Sequence, residues 1–148
     1  MNGRTSISPW ESGWRQHGGK WVYYGNYTGF GVDAQGLALE IESIDAELVR
    51  QPDDSVLALA DVRGTTGTTE VVRLFKLSAT RTRRCTHKQA VVGIAGLKRV
   101  LAQAIANVSN QPMKLFDSVE EAMDWLVADD DEIGIGQPVM PVRLSETD

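Results

Sequence analysis

A single cysteine, Cys85, among 148 residues leaves no internal disulfide to form and suits a reducing cytoplasm. No window approaches the eighteen or more apolar residues of a membrane span, and the N-terminal stretch has no apolar core of a secretory signal. A soluble, cytoplasmic protein is the expectation. Acid is missing between residues 71 and 116, and that gap shows how little the net charge of −5 says. Residues 1–70 carry five Lys/Arg against ten Asp/Glu, 71–116 nine against none, and 117–148 one against ten. The basic block is Arg73, Lys76, Arg81, Arg83, Arg84, Lys88, Lys98, Arg99 and Lys114. If exposed, it sets up a local positive field suited to an anionic partner. It lacks interleaved aromatics, which with the overall negative charge argues against nucleic acid.

What is present points to one α/β domain. With 42% hydrophobic residues the chain is long enough for one real core and too short for two. The aromatic-rich stretch 21–28, after Gly18-Gly19, reads as a strand entered from a flexible lead. Leu37, Ile41, Ile44 and Leu48 step by four, three and four, which predicts a helix from Asp33 to Gln51 over a shorter competing strand pattern at 37–42. Pro52-Asp53-Asp54 ends it. Val56 to Val62 is a nearly continuous apolar run, as in a parallel strand buried on both faces. Val71, Leu74, Phe75 and Ser78 resume helical spacing, and 89–94 reads as a third strand.

Leu97, Val100, Leu101, Ala104, Ile105 and Val108 paint one face of a third helix. A fourth strand at 113–116 precedes a fourth helix, whose capping box is either Asp117 with Glu120 or Ser118 with Glu121. The expected architecture is a βαβαβαβα unit on a mainly parallel four- to five-stranded sheet. Its domain spans 21–128, behind a partly flexible lead at 1–20 and before an acidic tail at 129–148, where a short strand at 132–136 is a further option.

Three spaced phrases, SVLALADVR at 55–63, QAVVGIAGLK at 89–98 and KLFDSVEEAMDWL at 114–126, together resemble the SpoIIAA-like superfamily, in particular small bacterial proteins described as STAS/CRAL-TRIO-type domains. The resemblance covers residues 21 to 128 and implies a β-α superhelix with a binding or regulatory role. Anti-anti-sigma members carry a phosphorylatable serine, in an Asp-Ser-Ser-Gly phrase, where this chain has Gly64-Thr65-Thr66-Gly67-Thr68-Thr69. Phosphoregulation therefore does not carry over by motif. CRAL-TRIO relatives hold lipid in a large apolar cavity, and this shorter chain shows no cavity-lining insertion.

The loop 64–69 itself has three readings. A glycine-rich turn between a parallel strand and a helix aims N–H groups at an anion, but the lysine of a P-loop is absent and Glu70 would repel phosphate. The bland reading makes Thr68 the helix cap; the third is threonine phosphorylation. Cys85 and His87 are too few for a zinc site, and no nucleophile comes with a base. No catalytic residue, metal or cofactor is expected. The sequence therefore supports a non-enzymatic module that binds a protein, self-associates or takes an anionic small molecule. Its surface would combine Asp61, Gly64, Thr65, Thr66, Gly67, Thr68 and Thr69 with Arg83 and Arg84. A carrier of lipid or another apolar small molecule is the alternative, and an enzyme using Asp61 or Cys85 a third reading.

Overall fold

A computed structural model describes residues 4–93 and 112–129. Strands β1 (Gly13–His17), β2 (Lys20–Asn26), β3 (Val56–Asp61), β4 (Thr86–Val92) and β5 (Met113–Phe116) lie side by side in chain order. Helices α1 (Ala34–Leu48), α2 (Thr69–Thr82) and α3 (Val119–Val127) complete the described elements. The pairs β2–β3, β3–β4 and β4–β5 are parallel, whereas β1 pairs antiparallel with β2. The predicted mainly parallel α/β sheet is thus the observed one, with an added edge. Gly18 and Gly19, both at positive φ, make the two-residue turn of a β1–β2 hairpin, so the stretch read as a lead contributes a strand.

Strand alternation divides the core into two faces. Tyr23, Tyr27, Val56, Ala58, Val62 and Val91 pack with Leu37, Ile41, Ile44, Val71 and Phe75 on the face that carries α1 and α2. Val22, Tyr24, Leu57, Leu59, Ala90 and Val92 pack on the other face with Ala122, Met123 and Leu126 of α3. β3 is therefore covered on both sides, as its continuous apolar run requires. The helical reading of 33–51 prevails over the strand alternative because only a helix turns Leu37, Ile41, Ile44 and Leu48 onto one buried face. Asp33 caps α1 by accepting from the Gly36 N–H at 3.0 Å. Of the two candidate pairs before α3, Ser118 with Glu121 is the one in place: the Ser118 hydroxyl caps the helix by accepting from the Glu121 N–H at 3.2 Å and lies 3.2 Å from the Glu121 carboxylate. The helix read over 96–108 and the tail strand at 132–136 lie outside the described residues.

The tryptophans of the N-terminal stretch pack on the sheet. Trp10 meets Tyr24 edge-on at 5.2 Å on one face, and Trp14 meets Tyr23 at 5.2 Å on the other. Among the described residues no helix is long and apolar enough to cross a membrane.

Candidate functional site

Past the ends of β2 and β3, the chain keeps pairing through two loops, 27–33 and 62–68. The Tyr27 N–H donates to the Asp61 carbonyl at 2.9 Å, Gly29 to Arg63 at 2.8 Å and Gly31 to Gly64 at 2.9 Å, and the Thr66 N–H returns to the Gly31 carbonyl at 2.8 Å. Gly29, Gly31 and Gly64 all have φ between +57° and +77°, a region that L side chains seldom adopt, which lets the paired loops fold into a tight crest. Thr65 is buried and locks the crest from inside: its hydroxyl donates to the Tyr27 carbonyl at 2.6 Å and accepts from the Phe30 N–H at 3.1 Å.

The N-terminal segment straps this crest. The Thr5 N–H donates to the Gly29 carbonyl at 2.8 Å, and the Ile7 N–H to the Thr28 hydroxyl at 3.0 Å. The Arg4 guanidinium donates to the Asn26 and Thr28 carbonyls and lies 4.3 Å from the Phe30 ring centre. A side chain at Gly29 would run into the Thr5 backbone, and one at Gly64 into the Ile7 side chain. Glycine at both places is a condition of the close approach. Beside this rigid backbone Val32 is 70% and Ile7 50% exposed, so the crest carries apolar side chains to solvent.

The residues singled out by sequence divide into several roles. Asp61 is wholly buried, accepts from the Tyr24 hydroxyl at 2.6 Å, and is gripped by Arg63 through Nε at 2.8 Å and Nη2 at 2.6 Å. Burial, and then the bond to Asp61, pushes the Tyr24 hydroxyl up to about 12. Both carboxylate oxygens are therefore engaged on the α3 face of the sheet. Thr68 caps α2, accepting from the Val71 N–H at 3.2 Å, as the bland reading has it. Gly64, Thr66 and Thr69 are exposed, and Gly67 is half-buried. Glu70 pairs with Arg73, which holds its carboxyl below the usual range and keeps negative charge at the start of α2.

Arg83 and Arg84 do not join this surface. They follow the far end of α2, whose fourteen residues span roughly 20 Å at 1.5 Å per residue. Arg84 pairs with Asp53 and donates to the Val49 and Gln51 carbonyls at 2.8 and 2.9 Å, closing the end of α1. The expected single surface of loop and arginines is thus two separate places. The sequence singles out neither the 27–33 loop nor the strap; the available signal is the Gly29-Phe30-Gly31 pattern.

Elsewhere the sequence candidates serve packing. Cys85 is buried, its thiol donates to the Thr82 carbonyl at 3.2 Å, and burial pushes it up from the ordinary thiol range. It is expected to resist a thiol-labelling disulfide reagent in the native protein and to react fully once denaturant is added, which absorbance at saturation would show; rapid native labelling would contradict its burial. His87 is buried, with Nδ1 2.8 Å from Asp54. Among the described residues no three His, Cys, Asp or Glu side chains come together as a metal site. Between α1, α2 and the sheet lies a cavity of about 60 Å³, bounded by Tyr23, Tyr27, Ile44, Phe75 and Met113.

Strand order, the crossing helices and the antiparallel edge can be set beside a solved structure. An uncharacterised protein of the DUF3478 family from Shewanella loihica PV-4, described as having a SpoIIAA-like fold, superposes with a TM-score of 0.55. The fold is SpoIIAA-like. The match covers 78% of this chain and 92% of that one at 15% identity, so what the two share is the SpoIIAA-like frame. Comparison of the sequence with family models and with curated proteins finds no match.

Proposed function

We propose that this SpoIIAA-like chain is a non-enzymatic, STAS-like binding module that docks a protein partner on the crest formed by loops 27–33 and 62–68. The observation that carries the reading is the pairing of a cross-linked backbone with outward apolar side chains, Val32 above all. A preorganised surface loses little freedom on binding, so its contacts translate into affinity. The crest also sits at the C-terminal ends of β2 and β3, where parallel α/β sheets usually present ligands and partners. The full engagement of Asp61 and the burial of Cys85 support a non-enzymatic role. The carrier alternative rests on the cavity under α1 and α2, whose size is far below the several hundred Å³ of ordinary ligand pockets.

The test compares the two ends of α2 by pull-down from the source cell with the full chain as bait. Val32→Asp and Thr66→Asp are expected to lower capture of the partner by ~10-fold or more, because each puts a charge into a contact that must be desolvated. Arg83→Glu, at the opposite end, should leave capture within ~2-fold. If Arg83→Glu abolishes capture while the crest variants do not, the working surface is the basic one and the crest proposal is wrong.

A further inference from the structure

β1 is an edge of the sheet, and among the described residues no strand lies beyond it. Its outward backbone groups follow from the hairpin. A two-residue turn is closed by a bonded pair, here His17 with Lys20, and antiparallel bonded pairs recur at every second residue, so Arg15 bonds to Val22 and Gly13 to Tyr24. The neighbouring bonds keep this parity: the Asn26 N–H turns to the β1 side and donates to the Ser12 hydroxyl at 2.8 Å, whereas the Tyr27 N–H turns to β3. Trp14 and Gln16 therefore present N–H and C=O to the outside. The strand carries none of the usual guards of an edge, since no proline, lysine or bulge interrupts Gly13–His17.

Arg15 supplies an independent pointer. Among the described residues its Nε is the one buried side-chain nitrogen or oxygen without a hydrogen-bond partner. The guanidinium lies 4.7 Å from the Trp10 ring centre, and Nη2 reaches the Glu11 carbonyl at 3.3 Å. No carboxylate among the described residues pairs with it, and the exposed Glu11 carboxylate has no cation there either. A buried donor without an acceptor costs the desolvation of the group, so this edge is short of a carboxylate that its own chain does not bring.

A second copy answers both the open edge and the unpaired charges. We propose that the chain forms a two-fold dimer in which β1 pairs antiparallel with the partner's β1, Trp14 opposite the partner's Trp14, so that the two sheets run on as one. Charge selects the register. Centred on Arg15, the pairing would set two guanidiniums opposite each other. Centred on Trp14, it sets Arg15 opposite the partner's Gly13 and places the partner's Glu11 on the diagonal, within reach of a long side chain. Nothing lies within 4 Å of where a Cβ would stand at Gly13, which leaves room for the incoming guanidinium. On the other face the two half-buried Trp14 rings, each edge-on to its own Tyr23, cover one another. An unrelated extended peptide would supply the backbone bonds without the reciprocal Arg15–Glu11 pairs.

Sedimentation velocity of the full chain over a concentration series is expected to show a reversible monomer–dimer equilibrium. Amide hydrogen exchange read by NMR should slow at Trp14 and Gln16 as concentration rises and stay unchanged at Arg15, whose N–H is already bonded to β2; only strand pairing produces that alternation. Gln16→Pro removes an outward N–H and no bond to β2, so the domain keeps its fold while the dimer weakens at least ~10-fold. Arg15→Glu should weaken it ~10-fold by bringing like charges together, and combining it with Glu11→Arg, which exchanges the charges, should restore affinity to within ~3-fold. A chain that stays monomeric up to ~1 mM overturns the proposal. So does a dimer indifferent to Gln16→Pro and to the charge exchange, or one whose concentration-dependent protection lies away from β1.

Discussion

Lys88→Glu is expected to destabilise the domain by about 4 kcal/mol, the range for leaving a charge buried without its partner. Lys88 is wholly buried on β4, on the face that carries α3. Its Nζ donates to the Trp125 carbonyl at 3.0 Å and to the Ala128 carbonyl at 3.4 Å, and lies 5.1 Å from the centre of the Trp125 ring. The last carbonyls of a helix have no partner within it, and the dipole places partial negative charge there. One buried ammonium answers both. Glutamate would set a carboxylate against the same carbonyls. At about 2–4 °C per kcal/mol for a chain of this size, Tm should fall by roughly 10 °C, read by circular dichroism. Lys88→Met keeps the stem and removes only the donor, so about 1–2 kcal/mol is expected, because the Trp125 carbonyl keeps the Ala128 N–H at 3.2 Å. A glutamate variant as stable as the parent would mean that the ammonium does not hold α3 to the sheet.

Asp61→Ala is the second large effect, at about 3 kcal/mol, from two losses. The Tyr24 hydroxyl, buried at the sheet, loses its acceptor, while Arg63 loses a two-pronged grip but keeps some access to water. Tyr24→Phe alone should cost about 1 kcal/mol, since it removes donor and bond together. In a double-mutant cycle the two changes should couple, because they share one carboxylate. Urea unfolding followed by tryptophan fluorescence provides the measurement. Additive losses would show that the Tyr24–Asp61 bond contributes nothing of its own.

These two residues also show where sequence reading stops. α1, β3, β5 and α3 were legible because burial of one face or of both imposes a period, and the period is written locally. The hairpin at Gly18-Gly19 was not, because two glycines announce a flexible lead and a tight turn alike. Charge misled for a different reason. The acids of residues 1–70 and the cations of 71–116 are segregated along the chain but interleaved in space: Arg81 pairs with Asp45, Arg84 with Asp53, and Lys88 points into the interior. Two of the apparent basic face's arginines are thus taken up by structural pairs whose partners lie some thirty residues away. Of the candidate surface, Thr68 as a cap was legible from local rules, while the crest depends on pairing between two loops far apart in sequence.

The order of the strands bears on how the domain is made. Each strand lies beside the one that precedes it in the chain, starting from the β1–β2 hairpin. During synthesis the hydrogen-bonding edge for a new strand is therefore already present when that strand emerges, and among the described strands none waits for a distant partner. Parallel sheets otherwise form slowly and expose their edges on the way. Here the growing edge is renewed with each new strand, while the hairpin covers the opposite flank of β2 from the outset.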